Sequence, residues 1–192
     1  MPDAVPDALA HPSTLTARLL LRAPTADDLE IAQSIHGDPR TQRYNPAGPD
    51  SRDGIRHKLQ GWIQHWQEQG FGYWLVCERA QPERALGFGG IMQGRFGERR
   101  GLNLYFRFAV DAWGRGYANE MANAALHLAF HGLHAPQVIG LVRPDNLPSR
   151  RALERLGLTR DGELEDFPDL APSLLYSLDA ERYFAALRSP QP

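Results

Sequence analysis

Residues 102–120, LNLYFRFAVDAWGRGYANE, change pattern twice. The stretch opens with the alternation of a strand: Leu102, Leu104, Phe106, Phe108 and Val110 are apolar on one face, with Asn103, Tyr105 and Arg107 between them. It breaks at Trp113-Gly114-Arg115-Gly116. From Tyr117 the period is helical, with Ala118, Met121, Ala122, Ala125, Leu128 and Ala129 on one stripe. A strand, a glycine turn and a helix in that order make an anion cradle. Free backbone N–H groups and the positive end of the helix dipole point at one place, and glycine lets an anion come close. The spacing is not that of a dinucleotide fingerprint, because Asn119 stands at the third glycine position, and no Gly-Lys-Ser/Thr makes it a P-loop. Taken alone, Gly-x-Gly is equally a plain strand-to-helix connection.

The 192 residues suffice for one full core, and the apolar and charged fractions are those of a globular domain. A formal charge of −2 without a basic run predicts no nucleic-acid partner. No stretch is apolar enough to span a membrane, and the first residues lack the pattern of a signal peptide, so the cytoplasm is the expected location. Cys77, the single cysteine, alternates with Phe71, Tyr73 and Leu75 and reads as a small buried hydrophobe.

Outward from the central stretch, the sequence predicts one domain over 15–187, with a flexible arm at 1–14 and a tail at 188–192. A first strand is expected over Thr16–Ala23, then a helix begun at Thr25 with Leu29, Ile31, Ala32 and Ile35 on its stripe, and a proline-broken loop over Asp38–Asp50. The helix Ser51–Gln69 carries Trp62 and Trp66, one expected in the core and the other free to line a substrate mouth. Strands are expected over Phe71–Glu78 and Ala85–Gln93, the second marked by Gly87, Gly89 and Gly90 for a bulge or close approach, and a polar turn over Gln93–Gly101. Gln137–Val142 reads as a strand, the residues from Asn146 as a helix closed by Gly157, Leu158–Glu165 and Ser173–Leu178 as an antiparallel pair, and Asp179–Leu187 as a last helix. The pattern predicts a mixed α/β domain with helices on both faces of a mostly antiparallel sheet.

Two segments, VDAWGRGYANEM and NLPSRRALERLGL, resemble the acyl-CoA-binding core of the GCN5-related N-acetyltransferases (GNAT), with the best likeness to the branch acting on N-termini of ribosomal proteins. Gly116 and Ala118 fill the last two fixed positions of the family signature Gln/Arg-x-x-Gly-x-Gly/Ala, and Trp113 replaces the Gln or Arg. The resemblance implies a sheet of about seven strands with a splay between two central parallel strands, acetyl-CoA as cofactor, an amine acceptor (a peptide N-terminus or a small amine), and homodimers, which the family often forms.

It also implies roles for residues. The pyrophosphate would lie on backbone N–H groups of Gly114, Arg115, Gly116, Tyr117, Ala118 and Asn119, and the pantetheine arm would pair with Phe108, Ala109 and Val110. Asn146 and Ser149 match cofactor contacts of the second motif. Leu153 stands where many members carry a tyrosine acid, leaving Ser149 as the nearest hydroxyl, and Asn103 stands where many carry a glutamate base. Tyr105 joins Ser149 and Asn103 as a catalytic candidate, with Glu98, Glu165 and Asp166 as carboxylates that could act through water. His127, His131 and His134 lack a carboxylate or cysteine to complete a metal site, so none is expected. Non-catalytic acyl-CoA binding and acetylation of a polyamine or aminoglycoside are the alternative functions.

Overall fold

The computed structural model describes residues 13–188, which leaves most of the expected arm and tail, residues 1–12 and 189–192, outside the described residues. Its strands are β1 (Thr14–Leu15), β2 (Leu19–Arg22), β3 (Tyr73–Glu78), β4 (Gln81–Phe96), β5 (Arg99–Phe108), β6 (Gln137–Val142), β7 (Thr159–Leu164) and β8 (Ser173–Asp179). The helices are α1 (Leu29–His36), α2 (Arg52–Gln69), α3 (Tyr117–His127), α4 (Leu147–Arg155) and α5 (Ala180–Arg188). One eight-stranded sheet in the order β1-β2-β3-β4-β5-β6-β8-β7 is antiparallel except where β5 meets β6. This is the mixed, mostly antiparallel α/β sheet expected, with one more strand than the seven foreseen. The extra one is β1, which pairs with Leu20 and Leu21 but is exposed on both residues and so carries no apolar signal.

Alternation of side chains separates two cores. On one face, Leu21, Trp74, Val76, Leu104 and Phe108 pack under Met121, Ala122, Ala125 and Leu126 of α3. On the other, Tyr73, Leu75, Cys77 and Phe88 pack under Ala32 and Ile35 of α1 and Ile55, Leu59 and Trp62 of α2. The small residues of α3 bring it close to the sheet: a Cβ on Gly89 would lie 2.5 Å from the Met121 methyl and 2.8 Å from the Tyr105 carbonyl oxygen, which as backbone cannot move aside. Such a clash admits only glycine, the close approach its sequence position suggested. Cys77 is buried, as its alternation implies.

Two expectations need correction. Residues 93–101 are not a polar turn, because β4 runs to Phe96 and β5 starts at Arg99, leaving Gly97 and Glu98 as the hairpin. Burial of Phe96 against Ile139 and Leu175 holds the strand pair together beyond the apolar run. Both tryptophans of α2 are core residues: Trp62 belongs to the α1–α2 side, and Trp66 donates its indole N–H to the Tyr73 carbonyl at 2.8 Å. Among the described residues, no helix is long and apolar enough to cross a membrane.

Candidate active site

β5 stops where Ala109 donates its N–H to Leu86, and a short 3-10 turn, Val110–Ala112, leads to Trp113. The Trp113 indole is pinned by its N–H to the Phe108 carbonyl at 2.9 Å yet stays half exposed. Gly114 and Gly116 follow with φ of +73° and +78°, values that L side chains resist, and α3 begins at once. Glu120 is the first residue of the turn to make a backbone bond, donating to the Gly116 carbonyl at 3.1 Å. Among the described residues, the N–H groups of 114–119 have no acceptor, and Gly114, Arg115 and Gly116 are exposed. An open row of donors at the positive end of an eleven-residue helix fits an anion.

Arg18, just before β2, reaches this corner. Its Nε lies 2.7 Å from a Glu120 carboxylate oxygen, its Nη1 donates to the Arg115 carbonyl at 2.9 Å, and its guanidinium covers the Tyr117 ring at 4.7 Å. Burial works to raise the Glu120 carboxyl, but bonds from Thr16 and Arg18 outweigh it and hold the group below its usual range. Tyr117 is anchored from the other side by its hydroxyl, which donates to Glu78 at 3.1 Å.

Next to the turn the sheet opens. β5 and β6 are in register only at Leu102 with Val138 and Asn103 with Ile139. Beyond that point they part, and a cleft of about 280 Å³ lies between β5, the end of β6, the start of α4, the loop at 41–46 and the segment around Asp166. At the mouth of α4 the Asn146 side chain accepts the Ser149 N–H at 3.2 Å, capping the helix. On the β5 side of the cleft, Tyr105 sits in a chain of bonds: Arg107 Nε–H donates to its oxygen and its hydroxyl faces His36 Nε2, each at 3.0 Å. A second Arg107 donor bonds the Thr41 carbonyl. Arg143 bonds Asp166, Ser173 and the Ala171 carbonyl, at 3.2, 3.1 and 2.7 Å respectively.

A family model described as an acetyltransferase (GNAT) domain matches residues 18–159. The chain belongs to the GNAT acetyltransferase family. Among relatives of this GNAT protein, YkkB of Bacillus subtilis is 27% identical over 151 residues, 78% of this chain and 86% of its own. The N-acetyltransferase p20 of Bacillus licheniformis is 25% identical over 157 residues, 79% and 85% of the two chains. The fold is shared with an acetyltransferase from Agrobacterium tumefaciens (TM-score 0.75, 24% identity, 92% and 99% covered). It is shared too with the ribosomal-protein-S5-alanine acetyltransferase of Vibrio fischeri (0.67, 16%, 89% and 98%) and the spermidine N-acetyltransferase of Vibrio cholerae in complex with CoA and spermine (0.71, 18%, 88% and 99%).

Of the residues picked out in the sequence of this GNAT domain, Tyr105, Asn146, Ser149 and Asp166 line one cleft. Phe108, Ala109 and Val110 lie at the end of β5, between that cleft and the open amides. Phe108 has its side chain in the main core, and its carbonyl already receives the Trp113 indole N–H. Asn103 is elsewhere: it lies at the closed end of the splay and its amide donates to the Tyr73 hydroxyl at 2.5 Å. Glu98 is in the β4–β5 hairpin, and Glu165 is exposed outside the cleft lining. His127 and His131 stack at 4.3 Å, and among the described residues no group of three ligating side chains could hold a metal ion. Arg18, His36 and Arg107 have no place among the candidates read from the sequence. Arg18 looks there like any surface cation, and His36 like one more residue on the α1 stripe.

Proposed function

We propose that this GNAT protein transfers an acetyl group from acetyl-CoA to a primary amine carrying a single positive charge, a protein N-terminal α-amine being the best match. The observation that carries this reading is the run of open backbone N–H groups at 114–119 beside the parting of β5 and β6. These donors would hold the diphosphate, with Arg18 and Arg115 adding charge, and the backbone of Phe108, Ala109 and Val110 would line the pantetheine arm. Asn146 and Ser149 would bound its thiol end. The bound thioester supplies the acyl group: the amine nitrogen forms a C–N bond to the carbonyl, the C–S bond breaks, and the proton lost by nitrogen ends on sulfur. Tyr105 would accept an N–H of the amine, and the Ser149 hydroxyl would orient the departing sulfur or relay its proton.

Charge in the cleft favours the α-amine. Its lining carries two guanidinium groups, Arg107 and Arg143, against one carboxylate, Asp166, which Arg143 and Ser173 already engage. A polyamine would meet net positive charge there. An α-amine, with a pKa near ~8, is partly neutral at physiological pH, whereas a lysine amine near ~10.4 demands a stronger base. The test is thiol release from acetyl-CoA with peptides beginning in Ala or Ser, spermidine and an aminoglycoside as acceptors. Release with peptides alone supports the reading; release with spermidine alone transfers it to small polycations. Tight acetyl-CoA binding with no release for any amine would leave a binding module instead.

A further inference from the structure

His36 is a polar side chain in a place built for apolar ones. It ends α1, is 1% exposed, and sits with its ring between Trp62 and Phe88, each centroid 5.4 Å away. A carbonyl can only accept, so the Nδ1 that lies 3.1 Å from the Ala32 oxygen carries the proton. Nε2 is then a bare acceptor, and the Tyr105 hydroxyl at 3.0 Å donates to it. The same phenolic oxygen receives Arg107 Nε–H. Two of the directions around Tyr105 Oη are thus taken, one by its own proton and one by a lone pair, while Tyr105 lines the cleft.

We propose that His36 is the positioning residue of the amine site: by accepting the hydrogen bond of the Tyr105 hydroxyl, it leaves the remaining phenolic lone pair to receive an N–H of the attacking amine. Without that acceptor the Tyr105 proton is free to turn into the cleft, where it would compete for the nitrogen lone pair that must attack the thioester. A hydrophobic core does not bury a histidine without compensation, and here both ring nitrogens are spoken for. The groups around the imidazole keep it neutral. Burial depresses it most, to about 4, with the charges of Arg107 on β5 and Lys58 on α2 adding to this; the Ala32 carbonyl and Asp50 oppose them. Burial also raises the Tyr105 phenol, against the pull of Arg107, so both partners keep these protonation roles across the neutral range.

This inference rests on the transferase reading, and the experiment separates the two. Steady-state kinetics would be measured at pH 8 for the wild type, His36→Phe, His36→Gln, Tyr105→Phe and the His36→Phe/Tyr105→Phe pair, with acetyl-CoA affinity recorded by calorimetry for each. Loss of one aligned hydrogen bond predicts a fall in kcat of roughly tenfold for His36→Phe, with acetyl-CoA affinity kept. His36→Gln, whose side-chain oxygen can accept, recovers most of the rate, and His36→Phe has no further effect once Tyr105 is Phe. A full rate in folded His36→Phe, or an equal fall in the Tyr105→Phe background, overturns the proposal. Should His36→Phe not fold, His36→Leu and His36→Gln carry the same comparison. Absence of thiol release by the wild type with every amine defeats the transferase reading instead.

Discussion

The two ends of the cleft are built from different materials. At the proposed cofactor end, the groups on offer are backbone groups of one continuous segment, 114–119, held open by two glycines in a left-handed conformation. At the proposed acceptor end, they are side chains from five separate stretches: His36 of α1, the loop at 41–46, Tyr105 and Arg107 of β5, Arg143, and Asp166 with Ser173. A local device has its specificity written in dihedral angles, so its sequence can change except where glycine is required. An assembled one depends on the packing of α1 and α2 onto the sheet, and any element that shifts moves part of the site.

The contrast is open to experiment. Gly116→Val places a branched side chain at φ +78° and turns the open amides away, so acetyl-CoA affinity should fall at least ~100-fold with folding retained, as calorimetry and a thermal melt would read. An unchanged affinity would remove the distinction at its cofactor end.

The acceptor end predicts a pH signature of its own. His36 is depressed to about 4 in the folded protein, by burial first and then by Arg107 and Lys58, against an ordinary value near 6.5. The unfolded chain therefore binds more protons between these values. This share of stability is whole above pH 6.5 and is lost as pH falls toward 4, amounting to about 2 kcal/mol at pH 5 relative to pH 8. Urea unfolding at both pH values should show that slope in the wild type and lack it in His36→Gln.

Smaller effects sharpen the comparison further. Tyr105→Phe should lower kcat about tenfold while leaving acetyl-CoA affinity intact, because the residue belongs to one end alone. Arg18→Ala should do the opposite, weakening acetyl-CoA about threefold with kcat kept, and more so at low salt, as a half-exposed charge would.

Legibility in the sequence follows the same division. The strand, turn and helix of 102–120 were readable because each leaves a periodicity or a required glycine within a few residues. The helix starting from Asn146 was readable for the same reason, and the Asn146 side chain caps it through the Ser149 N–H. The run Gln93–Gly101 misled because its polar residues look like a turn, while the burial of Phe96 is supplied by Ile139 and Leu175 from far along the chain. By alternation in the sequence, Asn103 and Tyr105 share one polar face of β5. They are two residues apart on that face, yet Asn103 bonds Tyr73 at the closed end of the splay and Tyr105 bonds His36 beside the cleft.

By itself, then, the sequence determined the order of strands and helices along the chain and the glycine corner, since hydrophobic period, capping and backbone permission act between near neighbours, and two motif segments carried the resemblance to the family. Only the tertiary structure decided that β5 and β6 part after Asn103, that Arg18 reaches the corner from the other end of the domain, and that His36 meets Tyr105. Those pairings are set by how two helices and a loop settle on a twisted sheet, and packing of that kind leaves no spacing along the chain from which it could be read.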